Sequence, residues 1–289
     1  MKKILFLGNS SGTYPLLNQA QKQGLYTIVT DFCLPERSPA KLISDEYWMI
    51  STNDLDSLEK KCREENIQAV ISGASDFNTG MAIKLCERLG LPCYCTDTVW
   101  NDSRDKVFFK RLATQTQVPI PEDYILSSDL DQEELKKIKY PVVVKPVDFD
   151  GNKGISFCNN QEELINGYRY AASLSDRSEI IVERMLSGVE LFSYYALANG
   201  DASFLSLGTR LPQPGEPKFC YSMNTTINRF TSKYLEEMDA SVITMLKELF
   251  RNTIPALKIM TIPSQKRLCG KCQNLPRIFF AELIMTRSG

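Results

Sequence analysis

The chain has 289 residues, of which 43% are hydrophobic and 24% charged, and its formal net charge is −1. This composition is typical of a globular protein, and the length suggests about two domains. It is too apolar for a disordered chain. The chain also has no excess of positive charge that would indicate nucleic-acid binding. The sequence contains no histidine. That absence excludes a Ser-His-Asp triad, a Cys-His dyad and zinc sites built on imidazole.

The opening of the chain predicts no targeting segment. The apolar run after the first lysines extends only from Ile4 to Leu7, too short for a signal peptide or a membrane span. The 9 cysteines are scattered and odd in number, which favours free thiols in a reducing, cytoplasmic compartment. Cys269 and Cys272 have the spacing of a zinc knuckle, but with no second such pair and no histidine we expect no structural zinc there.

The first hundred residues alternate between short apolar runs and amphipathic segments. We predict strands at 3–7, 26–30, 46–50, 69–72 and near 92–95, and helices at 13–23, 54–65 and 78–89. This alternation predicts a parallel sheet with helices on both faces. Gly8, Gly12 and Asp31 leave open a dinucleotide site in which Asp31 binds a ribose, although Ser10 replaces the middle glycine of that fingerprint.

The second half of the chain carries residues with a recognisable chemistry. A helix predicted over 96–115 contains Asp105 and Lys106, and a strand of three valines then leads to Lys145. An ammonium at the end of a buried strand can meet a phosphate as a point charge. Gly151 and Gly154 follow in a turn whose backbone N–H groups suit an anion, before a strand at 155–158. Each feature alone is equally explained by a solvated lysine or an ordinary hairpin turn.

Two acidic residues follow a helix predicted over 160–172. Glu183 and Glu190 belong to two predicted strands that flank a short turn. A carboxylate only accepts hydrogen bonds, which suits an exocyclic amine or a ribose diol. Either residue alone is better explained as a surface acid at the end of a strand.

The order of these motifs resembles the ATP-grasp superfamily over about residues 1 to 250. The motifs are Asp105-Lys106, Pro-Val-Val-Val-Lys145-Pro, Gly151-x-x-Gly154-Ile and Val-Glu183-Arg-Met-Leu-x-Gly-x-Glu190. They are most similar to the carboxylate–amine ligase branch that resembles the large subunit of carbamoyl-phosphate synthase. The resemblance implies an α/β fold with a Rossmann-like pre-ATP-grasp domain at 1–97 and an ATP-grasp domain at 98–289, with a lid at about 118–183.

The resemblance also implies a nucleotide site with ATP and Mg²⁺ as cofactors. The phosphates of ATP would contact two lysines and the glycine turn, namely Lys106, Lys145, Gly151, Gly154, Ile155 and Ser156. The adenosine would contact an acid on each of two strands and the backbone between them, namely Glu183, Arg184, Met185, Leu186 and Glu190. In this arrangement Glu183 meets the adenine amine and Glu190 takes the ribose hydroxyls.

The implied reaction suits a chain without histidine. In the family a substrate carboxylate attacks the γ-phosphate to give an acylphosphate, and an amine then displaces phosphate. Such chemistry relies on positioning, Mg²⁺ and cationic side chains more than on a protein base. Arg210 is our candidate for binding the substrate carboxylate or the transferring phosphate through two parallel hydrogen bonds, and a surface arginine in a loop explains it equally well. The implied partners are a small carboxylate and amine, with no nucleic acid and no membrane, and a homodimer is compatible with them.

The segment after Leu249 departs from the family pattern. From Phe250 to Ala281 there are six Lys or Arg, no Asp or Glu, and three prolines, which predicts neither a central strand nor a magnesium site. Only Glu282 resembles a metal ligand, and Ile284 stands where relatives carry an asparagine. We therefore expect an atypical or truncated tail at about 251–289, weak nucleotide binding and severely reduced or absent ligase turnover.

Three functions remain open from the sequence. The first is an ATP-dependent carboxylate–amine ligase, and the second is an ATP-binding protein of the same fold whose degenerate metal site has lost that activity. The third is a nicotinamide-dependent oxidoreductase that uses the first domain, which Ser10 disfavours.

Overall fold

The computed structural model of the chain describes residues 1–9, 12–73, 75–147, 153–177, 179–198, 200–212, 221–225, 228–251, 258–264 and 284–285, with the backbone alone at 198, 210–212, 221–225, 258–264 and 284–285. These residues form an α/β structure with three sheets. None of the helices in these ranges combines the length and the apolar content that a lipid bilayer would require.

The N-terminal sheet is parallel, as the sequence predicts, and the structure gives it the strand order β3-β2-β1-β4. Its elements are β1 (Lys3–Leu7), α1 (Thr13–Lys22), β2 (Tyr26–Thr30), α2 (Pro39–Ile43), β3 (Glu46–Trp48), α3 (Leu55–Glu64), β4 (Ala69–Ser72) and α4 (Asp76–Leu89). Successive side chains of a strand point to opposite faces, so Leu5 and Leu7 pack in one core while Ile4 and Phe6 pack in the other. Helices therefore cover both faces of this sheet.

The predicted strand near 92–95 is wrong. Residues 91–95 form no strand and follow α4 as an irregular segment. Pro92 has no N–H to donate to a sheet ladder, and Cys95 packs into a hydrophobic core instead of extending the sheet beyond β4. The hydroxyl of Tyr94 accepts a hydrogen bond from the backbone N–H of Ser72 (3.4 Å), which fixes this segment beside the end of β4.

The helix predicted over 96–115 is interrupted at Asp105. Two helices, α5 (Asp97–Arg104) and α6 (Lys106–Gln115), meet at this residue. The Asp105 carboxylate accepts hydrogen bonds from the N–H groups of Val107 (2.9 Å) and Phe108 (2.8 Å). It therefore caps the amino end of α6 and makes Lys106 the first residue of that helix.

The small sheet is antiparallel and has the strand order β5-β8-β6-β7. Its elements are β5 (Asp123–Tyr124), α7 (Gln132–Leu135), β6 (Val142–Pro146), β7 (Ser156–Cys158), α8 (Gln161–Leu174) and β8 (Ile180–Arg184). Val142, Val144 and Val182 point to the face that α8 covers, where they form a separate core with Leu164. The alternation of the strands therefore directs Lys145 and Glu183 to the opposite face.

The large sheet is also antiparallel, in the order β11-β10-β9-β12-β13. Its part of the chain comprises β9 (Glu190–Ala198), β10 (Asp201–Pro212), β11 (Tyr221–Thr225), α9 (Thr231–Glu237), α10 (Asp239–Leu249), β12 (Lys258–Ser264) and β13 (Ile284–Met285). Its core includes Trp100 and Leu112 from α5 and α6. The strands β8 and β9 thus belong to different sheets, although one short turn joins them.

The sequence predicts no central strand after Leu249, and this prediction is wrong. The backbone of β12 pairs with β9 inside the large sheet. Pro263 is the last residue but one of β12, a position where a missing N–H costs the ladder little. The other predictions for the tail concern Cys269, Cys272 and Glu282, which lie outside the described residues.

Candidate active site

The candidate site lies where the first turns of α6 meet the small sheet. Lys106 and Lys110 are four residues apart on α6, so their side chains leave the same face of the helix. The Lys106 ammonium donates a hydrogen bond to the carbonyl oxygen of Val147 (3.2 Å), the residue that follows β6. Lys106 is therefore fixed at the end of β6 from which the chain enters the glycine turn.

The Glu183 carboxylate lies between two ammonium groups. Its Oε1 accepts a hydrogen bond from Lys145 Nζ at 2.5 Å, and its Oε2 is 2.8 Å from Lys110 Nζ. The Glu183 side chain is 3% exposed, against 14% for Lys145 and 16% for Lys110. The structure thus brings together Lys145 and Glu183, which the sequence singles out, and adds Lys110.

Burial alone would raise the pKa of the Glu183 carboxyl, because a low dielectric disfavours its charged form. The positive charges of Lys145 and Lys110 and their hydrogen bonds outweigh this effect and lower that pKa to about 2. Burial would likewise lower the pKa of Lys110, but the negative charges of Glu183 and Asp123 outweigh it and raise that pKa. The Glu183 carboxyl and the Lys110 ammonium are therefore both charged at neutral pH.

Sequence reasoning missed Lys110 and Asp123. Lys110 also makes an ion pair with Asp123 of β5, so this one ammonium bridges two strands of the small sheet. The spacing of Lys106 and Lys110 on a predicted helix could have indicated the first residue. No local pattern indicates Asp123, because it reaches Lys110 through the pairing of β5 with β8.

The backbone after Glu183 is partly used within the protein. The N–H of Arg184 donates to the carbonyl of Glu122 (2.8 Å), and the N–H of Met185 donates to that of Pro141 (2.9 Å). The Arg184 guanidinium donates to the carbonyl of Lys139 (2.6 Å). Among the backbone hydrogen bonds of the described residues, none uses the N–H of Leu186, which makes it the amide of this segment best suited to a ligand.

Glu190 and Arg210 lie on the large sheet. They stand directly opposite each other in the antiparallel pair of β9 and β10, Glu190 as the first residue of its strand. Residues in this position have Cβ atoms about 5 Å apart. Arg210 belongs to a strand and not to a loop, which corrects the interpretation of it as a loop residue.

The glycine turn leads into β7, where Ser156 pairs with Val144 of β6 and Ile155 precedes the strand. Gly154 has φ +79°, and a Cβ built on it would lie 2.9 Å from the ring of Pro146. A side chain is therefore excluded there by the backbone conformation and by the space. Gly151 lies outside the described residues.

Asp31 is engaged within the N-terminal sheet. Its carboxylate is 3.1 Å from the ammonium of Lys41 and accepts hydrogen bonds from Ser38 Oγ (2.7 Å) and from the N–H of Cys33 (2.6 Å). The residue is 5% exposed. A carboxylate held in this way is not presented to a ribose, which removes the main support for a nicotinamide site.

The described residues do not fit the expected magnesium site. Within the ranges that the structure describes, no three Cys, Asp or Glu side chains come together as ligands of a metal ion. Asp123 and Glu183 are each paired with lysine, so neither carboxylate is left for a cation. Glu282 lies outside the described residues.

Comparison with protein families agrees with this geometry. Residues 105–210 match the model "Carbamoyl-phosphate synthase L chain, ATP binding domain". The chain is 24% identical over 226 residues to the 2-oxoglutarate carboxylase small subunit of Hydrogenobacter thermophilus, which covers 72% of this chain and 48% of the relative. It is 25% identical over 190 residues to the formate-dependent phosphoribosylglycinamide formyltransferase of Methanococcus vannielii, 64% of this chain and 48% of the relative. The chain thus spans about half the length of these relatives.

Solved structures share the fold over nearly the whole chain. The biotin carboxylase domain dimer of H. thermophilus 2-oxoglutarate carboxylase, in complex with MgADP, ADP and bicarbonate, has a TM-score of 0.77 and 20% identity, over 98% of this chain and 64% of that one. Phosphoribosylglycinamide synthetase from Anaerococcus prevotii has a TM-score of 0.71 and 18% identity, over 98% of this chain and 67% of that one. The chain therefore has the fold of these ATP-grasp structures, and its residues 105–210 are similar to the ATP-binding domain of the carbamoyl-phosphate synthase L chain.

Proposed function

We propose that this chain binds ATP at the face of the small sheet that carries Lys145 and Glu183. We propose further that it takes part in the ATP-dependent ligation of a carboxylate to an amine through an acylphosphate. The observation that carries the proposal is the convergence of Lys106, Lys145 and the glycine turn at one end of β6. Two cations and a turn that only glycine can form suit a polyphosphate better than they suit a neutral ligand.

In this proposal the residues bind and orient the nucleotide. Lys106 and Lys145 neutralise charge on the phosphates, which lie beside Gly154. The adenine lies beside Glu183 with its edge at the N–H of Leu186, and Glu190 accepts hydrogen bonds from the ribose hydroxyls. Arg210, opposite Glu190 in the sheet register, binds the substrate carboxylate or the transferring phosphate. The nucleotide supplies the phosphoryl group that activates the carboxylate.

Lys106 gives the cleanest test of the phosphate contacts, because its ammonium donates to a carbonyl and is not an anchor of Glu183. We expect Lys106→Met to weaken ATP binding about 10- to 100-fold, the loss of one charge-assisted hydrogen bond, and to change adenosine binding little. Titration calorimetry with both ligands measures this. Lys136→Met is the matched control, since Lys136 makes an exposed ion pair with Glu133. Equal losses for ATP and adenosine would contradict the assignment.

The ligation itself is tested by a screen of amino acids and other small carboxylates with amines for ATP-dependent phosphate release. We expect an acid–amine pair to stimulate ADP formation, and Arg210→Lys to lower that rate, because lysine cannot replace the two parallel hydrogen bonds of a guanidinium. Nucleotide binding without ADP formation for any pair would favour the alternative of a nucleotide-binding protein without ligase activity.

A further inference from the structure

We propose that Lys110 is a positioning residue of the nucleotide site: it neutralises the buried Glu183 carboxylate, so that Lys145 can turn to a phosphate. This role rests on the proposed function, because it requires that Lys145 bind a phosphate. The three side chains belong to α6, β8 and β6, and only α6 lies outside the small sheet.

The geometry assigns one ammonium to each oxygen of Glu183. Lys145 is 2.5 Å from Oε1 and Lys110 is 2.8 Å from Oε2. A carboxylate that is 3% exposed has almost no water to stabilise its charge, so it depends on these two cations. If Lys110 were absent, Glu183 would hold Lys145 as its sole cation. Lys145 could then reach a phosphate only by leaving an unpaired buried charge behind.

The charges of the cluster balance only when Lys110 is included. Lys110 and Lys145 carry two positive charges, and Glu183 and Asp123 carry two negative ones. When Lys145 turns away, Lys110 still pairs with both carboxylates. Lys106 cannot take this place, since its ammonium lies at the carbonyl of Val147.

The experiment compares the ratio of ATP to adenosine affinity, measured by calorimetry, in a set of variants. A loss of adenine binding at Glu183 weakens ATP and adenosine equally, so it leaves the ratio unchanged. The ratio therefore reports on the phosphate contact. We expect Lys110→Met to lower the ratio about tenfold or more, because Lys145 is then retained by Glu183. The double variant Lys110→Met with Glu183→Gln should restore the ratio, because an amide no longer retains Lys145. Lys136→Met again serves as the control.

A second variant, Asp123→Asn, should change the ratio of ATP to adenosine affinity in the opposite direction, and it alters a more exposed side chain. The Asp123 side chain is 36% exposed, so its replacement by asparagine is compatible with folding. Asp123→Asn leaves Glu183 as the carboxylate that pairs with Lys110, so Glu183 depends less on Lys145. The variant should therefore raise the ratio of ATP to adenosine affinity several-fold. It keeps the proposal testable should Lys110→Met fail to fold.

The pH dependence separates positioning from a purely structural role. The charged groups that face Glu183 are Lys145 of β6 and Lys110 of α6, with Asp123 of β5 behind Lys110. Lys110→Met removes one of the two cations that lower the pKa of Glu183, so Glu183 takes up its proton at a higher pH than in the unaltered protein. That protonation releases Lys145, so the ratio in the variant should recover as the pH falls. The unaltered protein, measured in parallel, should show no such recovery, because its Glu183 stays ionised.

Each outcome decides between the two proposals. If the unaltered protein does not prefer ATP to adenosine, the proposed function fails and the role of Lys110 fails with it. If that preference exists and neither Lys110→Met nor Asp123→Asn changes it, the role of Lys110 alone is overturned. If Lys110→Met lowers the ratio but the double variant does not restore it, Lys110 contacts the phosphate itself and the positioning role is wrong.

Discussion

Lys41, Lys110 and Lys145 show how this protein buries an ammonium group. Each is largely withdrawn from water and each faces a carboxylate. The Lys41 side chain is fully buried, and its Nζ also donates to the carbonyl oxygens of Asp31 (3.0 Å) and Cys33 (2.6 Å). Such complete pairing is the condition under which a buried charge is tolerated.

The ion pair of Lys41 and Asp31 supports the first prediction on stability. Lys41→Met should lower the free energy of unfolding by about 3–5 kcal/mol, because it leaves the Asp31 carboxylate buried without its cation. Lys61→Met is the control, since Lys61 pairs with Glu65 at a partly exposed site where the loss should be much smaller. Urea denaturation measures both. Equal losses would show that Asp31 does not depend on Lys41.

At the scale of residues, the sequence indicates some of the side chains that the structure brings together. Lys106, Lys145 and Glu183 were recognised because each stands in a motif whose order along the chain is distinctive. Lys110 and Asp123 were missed because their importance comes from a contact between α6 and the small sheet, which no local pattern records. Asp31 was recognised as an acid at the end of β2, but its burial beside Lys41 is a tertiary fact.

Among the elements, the β6–β7 hairpin depends on the close approach of Gly154 to Pro146. Gly154 and Gly200 have nearly the same φ, +79° and +77°, but a Cβ at Gly154 would lie 2.9 Å from Pro146, whereas one at Gly200 meets nothing within 4 Å. The two positions thus share the strain of a left-handed backbone and differ in packing. This pair allows the two effects to be separated.

We expect Gly200→Ala to cost about 1 kcal/mol of unfolding free energy, from backbone strain alone. Gly154→Ala should cost about 1–3 kcal/mol more, because the ring of Pro146 must also move. Under the proposed function it should weaken ATP binding as well, because Gly154 lies against Pro146 at the end of β6 that carries Lys145. Denaturation and calorimetry of both variants measure these effects. The packing argument is refuted if the two variants lose the same stability.

The elements also show where prediction from sequence stops. The strands β1, β2 and β4 were predicted with their observed bounds, because each is a short apolar run between turn residues. The break between α5 and α6 was missed, although an aspartate at a helix start is a recognised signal. The separation of β8 and β9 into two sheets could not be predicted, because strand partners are chosen by contacts distant in the chain.

For the whole molecule, the absence of histidine predicts how stability varies with pH. No side chain with an ordinary pKa titrates between about pH 5 and pH 8, so stability should be constant there. Glu183 has a folded-state pKa of about 2, below its usual 4.5, so its contribution is present above pH 4.5 and is lost as the pH falls towards 2. That loss is about 3 kcal/mol.

Glu65 adds to the same loss, since hydrogen bonds from Lys3 and Lys61 lower its pKa to about 2. At the alkaline end, burial raises the pKa of the Cys62 thiol to about 12, so stability should fall again once the unfolded thiol ionises near pH 9. Urea midpoints measured from pH 3 to pH 10 test this profile. A slope between pH 6 and pH 8 would contradict it.

The separate cores have a consequence for spectroscopy. The chain has 2 tryptophans, and they report on different parts of it: Trp48 is buried on β3 of the N-terminal sheet and Trp100 in the core of the large sheet. The small sheet, with its own core, has none. Intrinsic tryptophan fluorescence would therefore follow the melting of two cores and would not report on the unfolding of the small sheet. Replacing the exposed Phe157 of β7 with tryptophan would give that sheet an emission of its own.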